Sequence, residues 1–190
     1  DGKPLRSSGQ FPQKVPKDPN HAAIIEQAVL LMAQQKVIEP IPKEDWDLPQ
    51  PPVPHSLFLR EKKSRAQPHG GNMPTAIQAN DSTAIRQILK AWRLIVNFKL
   101  GINKYGRAKP FQGTTARHGI QLLRRRDWMV YVDVEEAYYN VPLNKKYRNL
   151  CAFWTAHTTL HHLAPWGWRL LTLSFGLWTA PRDFVKQLKA

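Results

Sequence analysis

The residue whose type and position best suit chemistry is Asp133, in the segment DWMVYVDVEEAYYNVPL at residues 127–143. Aromatic and β-branched residues favour a strand over residues 128–134, and a carboxylate where a strand ends can point into a cleft. A centre that holds two metal ions needs at least two or three converging carboxylates. Glu135 and Glu136 are chain neighbours of Asp133 and cannot replace carboxylates from a second strand. Taken alone, Asp133 fits an ordinary strand-end carboxylate equally well.

Two clusters of cations are candidates for contact with nucleic acid. They are Arg124, Arg125 and Arg126, and Lys145, Lys146 and Arg148. The three arginines are predicted at the C-terminal end of a helix, where cations also complement the helix dipole. Their alternative role, which we favour, is to contact phosphate oxygens.

The charge balance favours a polyanionic partner. Lys and Arg number 28 against 14 Asp and Glu, so the net charge is +14, and most of the excess lies in residues 99–190. Each cation placed near a phosphate releases condensed counterions, so this excess favours nucleic acid. A basic surface kept for solubility and an acidic protein partner are the alternatives.

Disulfide, zinc and membrane functions are not predicted. Cys151 is the single cysteine of the sequence, so an internal disulfide is excluded. His157, His161 and His162 follow it, but without a Cys-x-x-Cys pair their spacing fits a zinc site poorly. No apolar run approaches the ~18 residues that span a bilayer, and no signal peptide is visible. We therefore expect no metal site, no cofactor and no membrane association.

The predicted elements mix helices with mostly antiparallel strands and lack a βαβ rhythm, which favours the α+β class. An extended Pro-rich tail is expected over residues 1–20, and residues 61–80 are expected to be an exposed loop. Helices are predicted over residues 19–35 and 82–91. A third is predicted from a cap at Thr114 or Thr115 to Arg126, with Ile120, Leu122 and Leu123 turned inward. A final helix is predicted after a cap at Thr179, with Pro181 at its first position. Strands are predicted over residues 37–41, 55–60, 92–100, 128–134, 150–155 and 168–173. A hairpin-like connection is expected over residues 157–167.

Four segments, taken in order, resemble the fingers and palm of retroelement reverse transcriptases, with a pattern most like DIRS-type and Gypsy-type retrotransposons. They are KVIEPIP (36–42) with HSLFLREKK (55–63), WRLIVNFKLGINK (92–104), DWMVYVDVEEAYYNVPL (127–143) and LTLSFGLWTAPRDFVKQL (171–188). The resemblance covers about residues 24–189. It implies a fingers-like region over residues 21–126, with an inserted loop at about 64–91, and a partial palm over residues 127–190.

The resemblance implies roles for individual residues. In the family, an Asp at the position of Asp133 binds two magnesium ions that carry the incoming nucleotide. The aromatic residue that matches Tyr138 excludes, in the family, nucleotides that carry a ribose 2′-hydroxyl. Cations of the fingers hold the triphosphate, and the matching residues are Lys62 or Lys63 and Arg93.

The fourth segment of the family lies under the template and primer, and its Phe-Gly pair matches Phe175 and Gly176. This sequence departs from the family pattern at Ser174, where proline is usual, and at Gly101-Ile102. The family takes its remaining carboxylates from an Asp-Asp hairpin beyond this segment, and no Asp-Asp pair occurs in the 190 residues. The resemblance therefore predicts a fold truncated before its catalytic centre is complete, with Asp133 as a vestigial metal position.

The leading expectation for function is a retroelement-derived, non-catalytic, RNA-binding structural subunit of a large ribonucleoprotein. RNA, as rRNA, and neighbouring proteins that cover the open palm edge are the expected partners. The compartment is not determined by the sequence; basicity and an extended tail suggest a mitochondrial or other organellar ribosome. The alternative is a fragment of an active RNA-directed DNA polymerase that uses magnesium. A protein-interaction module with an acidic protein partner is the third class considered.

Overall fold

The computed structural model describes residues 15–62, 71–99, 101–105, 120–130, 133–155 and 157–188. These residues form a mixed α/β structure around one five-stranded sheet with the order β1-β5-β4-β2-β3. The strands are β1 (Ile38–Pro40), β2 (Pro54–Glu61), β3 (Trp92–Asn97), β4 (Ala152–Phe153) and β5 (Trp168–Leu170). Neighbouring strands are antiparallel except β2 and β4, which run parallel. The prediction of helices with a mostly antiparallel sheet is confirmed at this level.

Helices cover the sheet and connect its strands. They are α1 (Pro19–Gln34), α2 (Met73–Gln78), α3 (Ser82–Ala91), α4 (Ile102–Tyr105), α5 (Lys145–Arg148), α6 (Thr158–Leu163) and α7 (Ala180–Leu188). Short 3₁₀ turns occur at Lys43–Asp47, Ala137–Asn140 and Asn149–Cys151. In the part of the chain that the structure describes, no helix is long and apolar enough to cross a membrane.

Helix α1 forms where the sequence predicts it. The Asp18 carboxylate accepts a hydrogen bond from the Asn20 amide at 2.9 Å, and Pro19 occupies the first turn, where its missing N–H costs nothing. The buried face of α1 includes Ile25, Val29 and Met32, which pack into the main core with residues of all five strands. This packing fixes α1 over the sheet.

Strands β2 and β3 form an antiparallel pair, and helices α2 and α3 connect them in the sequence. We call this pair the β2–β3 hairpin, and it brings the ends of two predicted segments together. Its register pairs Leu57 with Val96 and Arg60 with Arg93. Beyond the last strand pair, the Lys62 amide donates to the Ala91 carbonyl oxygen at 2.8 Å. Lys62 and Arg93 therefore lie at the same end of the hairpin, although they come from different segments of the sequence.

The loop predicted over residues 61–80 is wrong in part, because α2 lies within it. Asn72 caps this helix by accepting from the Thr75 amide at 3.1 Å, and Met73 is fully buried. Met73 packs in a second core cluster with Ile24 of α1 and Ile88 of α3. The described part of the inserted loop at residues 64–91 is thus a packed helical pair. Residues 63–70 lie outside the described residues.

The strand predicted over residues 128–134 is wrong for the residues described. Residues 127–130, 133 and 134 have no strand partner, and Trp128 is 97% exposed. A β-prone sequence becomes a strand only when a neighbouring strand takes its hydrogen bonds, and no described strand lies alongside. Residues 131–132 lie outside the described residues.

The helix predicted over residues 114–126 is helical only at residues 120–122 of its described part, and residues 114–119 are outside it. Ile120, Leu122 and Leu123 were expected to point inward but are exposed. The predicted tail is also largely undescribed, since residues 1–14 fall outside the structure's description.

The last third of the chain follows the prediction with shorter strands. β4 and β5 are confirmed, but α6 replaces the expected hairpin-like connection between them. The final helix begins directly after Thr179, as expected, with Pro181 at its second position instead of its first.

Candidate nucleic-acid interface

A cavity of about 460 Å³ lies between α1, the end of the β2–β3 hairpin, residues 133–139 and the start of α7. Its lining includes five residues to which the sequence resemblance gives a role. These are Lys62, Arg93, Asp133, Tyr138 and Phe175. They come from four separate parts of the chain, so the fold, and not local sequence, brings them together.

Aromatic rings form one wall of the cavity. The Tyr138 ring centre lies 5.0 Å from that of Phe175 and 5.9 Å from that of Phe184, both in edge-to-face geometry. Tyr139 adds a third edge-to-face contact with Phe175 at 6.3 Å. Edge-to-face packing places the positive edge of one ring against the negative face of its neighbour, and this contact limits the rotation of the rings. The wall is therefore a fixed apolar surface against which a flat group can lie.

Two cations, Arg93 and Lys62, line the same cavity as this wall. The guanidinium carbon of Arg93 is 5.4 Å from the centre of the Phe175 ring, within cation–π distance. Arg93 is exposed and Lys62 is half-buried. A guanidinium has five N–H donors, so Arg93 can contact the ring and still offer donors to an anionic group.

The carboxylates of the cavity come from one short segment. Asp133, Glu135 and Glu136 are all exposed, and Glu135 lies 3.7 Å from the Lys90 ammonium in a solvated ion pair of little energetic weight. Glu136 has a left-handed φ of 50°, and its carbonyl oxygen accepts from the Tyr139 amide at 2.8 Å. Burial, and secondarily the Glu136 charge, raise the pKa of Tyr139, so its hydroxyl stays protonated.

Magnesium ligation requires carboxylates that converge. Among the residues that the structure describes, no group of three or more His, Cys, Asp and Glu side chains is placed to hold a metal ion. Asp133 therefore lines the cavity without other described side chains placed to bind a metal ion with it. The described side chains do not form a two-metal site of their own.

Gly176 fixes the position of Phe175. Its φ is +91°, and a Cβ at this position would lie 2.7 Å from the Val96 carbonyl oxygen. The Gly176 carbonyl oxygen accepts from Asn103 Nδ2 at 2.7 Å, and Asn103 Oδ1 accepts from the Trp178 amide at 3.2 Å. Asn103, in α4, thus fastens the chain from Gly176 to Trp178, directly after Phe175, against α4.

Sequence reasoning gave no role to Asn103, Tyr139 or Phe184. The signal for Asn103 was present, since the second segment ends in LGINK, but its partners lie in the fourth segment and sequence order does not reveal the contact. Phe184 follows a helical spacing from Ala180, the buried residue of α7, and that periodicity could have identified it.

The remaining candidates lie elsewhere. Lys63 is outside the described residues. The arginines at residues 124–126 are exposed and not helical, and the Arg124 amide donates to the Asp127 carboxylate at 2.7 Å. The second cation cluster, at residues 145–148, lines a separate groove of about 600 Å³. Cys151 is buried.

Comparison with known proteins adds no family. No protein-family model matches the chain, and no curated protein matches it at a significant level. The resemblance to reverse transcriptases therefore stays a prediction from the sequence.

Proposed function

We propose that this chain is a reverse-transcriptase-like fingers and partial-palm unit that binds RNA without catalysis, as a retroelement-derived structural subunit of a large ribonucleoprotein. The observation that carries the proposal is the cavity, where Lys62, Arg93, Asp133, Tyr138 and Phe175 meet. These are residues to which the sequence resemblance assigns contacts with nucleotide, template or primer.

The lining of the cavity suits one nucleotide of an RNA strand. Arg93 and Lys62 offer donors and positive charge for a phosphate group. Tyr138 and Phe175 offer an apolar surface for a base or ribose, and stacking of this kind tolerates every base. A net charge of +14 supports the same partner, since RNA binding is strengthened by counterion release.

We assign no catalysis to the described residues, because the carboxylates that line the cavity all belong to residues 133–136. Two-metal chemistry needs carboxylates that approach the ions from different sides. The exposed apolar side chains of Trp128, Met129 and Val130 support burial against a neighbouring subunit, as expected for a component of a large particle. An organellar ribosome remains the most concrete host, with rRNA as the RNA.

The second candidate is a part of an active RNA-directed DNA polymerase. Asp133 and Tyr138 line the same cavity as the two cations, which is the arrangement that a nucleotide site needs. In that case magnesium would be held by Asp133 together with carboxylates beyond those described. Primer extension that requires magnesium, and that is lost in Asp133→Asn, would favour this candidate over the first.

The test of the proposal is RNA binding by the purified chain, measured by fluorescence anisotropy with a labelled single-stranded RNA at several salt concentrations. The test variant carries Lys62→Glu and Arg93→Glu. The control carries Arg86→Glu and Lys186→Glu, which make the same charge change at exposed positions outside the cavity.

Binding should fall by about tenfold in the cavity variant, and the slope against salt should become shallower, because each phosphate contact contributes about 0.7 to that slope for single strands. The control should lose clearly less. Equal binding by the two variants would refute a cavity that binds RNA.

A further inference from the structure

A groove of about 600 Å³ lies between α5, strands β1 and β5, and the loop at residues 48–50. It shares no lining residue with the cavity of the proposed function. Four cations and two carboxylates line it: Lys145, Lys146, Arg148 and Arg169, with Glu39 and Asp45. We call it the lysine groove.

Arg169 already has its partners. Its Nε donates to the Glu39 carboxylate at 2.7 Å, and its Nη1 donates to the Asp45 carboxylate and to Asn149 Oδ1. Both carboxylates therefore compensate one partly buried guanidinium. The network also fastens β1, the 3₁₀ turn at Lys43–Asp47 and the end of α5 to β5, so the floor of the groove is rigid.

Arg148 is held in place but keeps donors. Its Nε donates to the Leu143 carbonyl oxygen at 3.3 Å, and its Nη1 lies 4.0 Å from the Glu39 carboxylate. At that separation the ion pair is loose, and Glu39 is shared with the much closer Arg169. A guanidinium fixed through Nε alone can still present its terminal nitrogens to an anion.

Lys145 and Lys146 carry the uncompensated charge. Both are exposed, and within the described residues neither forms an ion pair; the Lys146 ammonium lies 4.8 Å from the Tyr147 ring. The carboxylates at the floor offset two of the four cations. The lip of the groove therefore keeps an excess of about two positive charges, which like-charge repulsion makes unfavourable until an anion binds.

We propose that the lysine groove binds the phosphodiester backbone of RNA, as a second contact separate from the cavity; this inference rests on the proposed function. Ammonium groups recognise phosphate as point charges, and the groove also presents the side-chain amide of Gln50. Among the described residues, Leu48 and Pro49 are the apolar members of the lining, and the nearby ring of Tyr147 lies beside the Lys146 ammonium and is not part of the lining. The contact is therefore independent of base sequence.

The experiment compares three double variants of the full chain with the wild type in the same anisotropy assay. The groove variant carries Lys145→Glu and Lys146→Glu, the cavity variant Lys62→Glu and Arg93→Glu, and the control Arg86→Glu and Lys186→Glu. A milder groove variant with Lys145→Gln and Lys146→Gln guards against misfolding, and circular dichroism checks every protein. Competition by an acidic peptide and by inorganic phosphate identifies the anion.

The expected result is about tenfold weaker RNA binding by the groove variant than by the control, with a salt slope smaller by about 1.4, which corresponds to two single-strand phosphate contacts. Two RNAs of unrelated sequence should be affected equally. If the groove variant binds RNA more weakly than the control while the cavity variant binds like the control, the result would support the lysine groove as an RNA contact and refute the cavity as one.

A groove variant that binds like the control would overturn this inference, whatever the cavity variant does. Displacement of RNA by the acidic peptide at equal charge concentration would also overturn it, in favour of an acidic protein partner. A wild-type chain that binds no RNA in low salt would overturn both the inference and the proposed function.

Discussion

The guanidinium of Arg93 lies over the ring of Phe175, with 5.4 Å between the guanidinium carbon and the ring centre. Arg93 is the second residue of β3 and Phe175 directly precedes Gly176, so the contact joins the hairpin to the turn before α7. A cation–π contact at an exposed position contributes about 0.5–1 kcal/mol, so its main effect is on orientation. It holds the Arg93 donors at the edge of the cavity.

Replacing Arg93 should therefore change RNA binding more than stability. We expect Arg93→Ala to weaken binding by about threefold, which is about 0.7 kcal/mol and less than the loss from the double charge reversal. Arg93→Lys keeps the charge but loses the contact of the guanidinium with Phe175. Its affinity for RNA should therefore lie between those of the wild type and Arg93→Ala. Anisotropy titrations at one salt concentration measure these differences.

A double-mutant cycle with Phe175→Leu isolates the contact between the two side chains. The coupling in the free energy of unfolding should be about 0.5–1 kcal/mol. A coupling near zero would show that Phe175 does not orient Arg93.

Much of the fold near the cavity follows from local sequence. Helix α1 has a cap at Asp18 and an apolar periodicity, and β2 and β3 are runs of β-prone residues. The segment at residues 128–134 has the same β-prone composition and yet lacks a strand partner where it is described. Composition reports what a segment can form, whereas a strand also requires a neighbour that the segment itself does not specify.

The candidate residues of the cavity were predictable for a different reason. Lys62, Arg93 and Tyr138 came from an ordered resemblance across the chain, not from local pattern. Asn103 was missed because its role lies in hydrogen bonds to Gly176 and Trp178, more than seventy residues away. Helix α2 was missed because six residues are too few to show a helical period.

Gly176→Ala should destabilise the protein. A side chain at φ +91° is strained, and the new Cβ would lie 2.7 Å from the Val96 carbonyl oxygen, which belongs to the backbone and cannot move aside easily. We expect a loss of about 2–3 kcal/mol in urea-induced unfolding.

Gly167→Ala is the matched comparison for this change. Its φ of +96° is similar, but its Cβ would lie 3.0 Å from the nearest backbone oxygen, that of Phe153. It should cost less than Gly176→Ala. The reverse order would mean that the close approach to Val96 does not govern the cost.

Arg169→Met should also lower stability, because it leaves Glu39 and Asp45 partly buried without their shared cation. Removing one partner of a buried pair costs about 3–5 kcal/mol, and since these groups are partly exposed we expect about 2 kcal/mol. Arg182→Met is the control, since Arg182 pairs only with its chain neighbour Asp183 at 3.0 Å in the described structure and should cost under about 1 kcal/mol. Equal losses in thermal or urea unfolding would contradict the role of Arg169.

His55 should make the protein less stable in weak acid. Burial lowers its pKa below the usual 6.5, against a smaller opposite effect of its 2.9 Å hydrogen bond with the Leu150 carbonyl oxygen. The unfolded chain therefore binds a proton at higher pH than the folded chain does. The contribution of neutral His55 is complete above pH 6.5 and is lost as the pH falls through its lowered folded value.

Urea unfolding of the wild type and of His55→Gln at several pH values between neutrality and weak acid tests this. The stability of the wild type should fall more steeply with acid than that of the variant. His162→Gln, an exposed histidine, should keep the slope of the wild type. Both variants retain the His157–Glu26 contact at 3.4 Å.

Cys151 should be unreactive in the folded protein. It is 1% exposed, and burial raises the pKa of its thiol to about 12, so almost no thiolate exists at neutral pH. Iodoacetamide at mildly alkaline pH should label the chain in denaturant and not in buffer, as measured by mass spectrometry. Because the pKa of the folded thiol lies above its ordinary value of 9.0, the unfolded state ionises first, and stability should decline as the pH rises from about 9 toward 12. In Cys151→Ala this part of the decline in stability at alkaline pH should disappear. In the labelling experiment, rapid modification of the native wild type by iodoacetamide would contradict the buried position of the thiol.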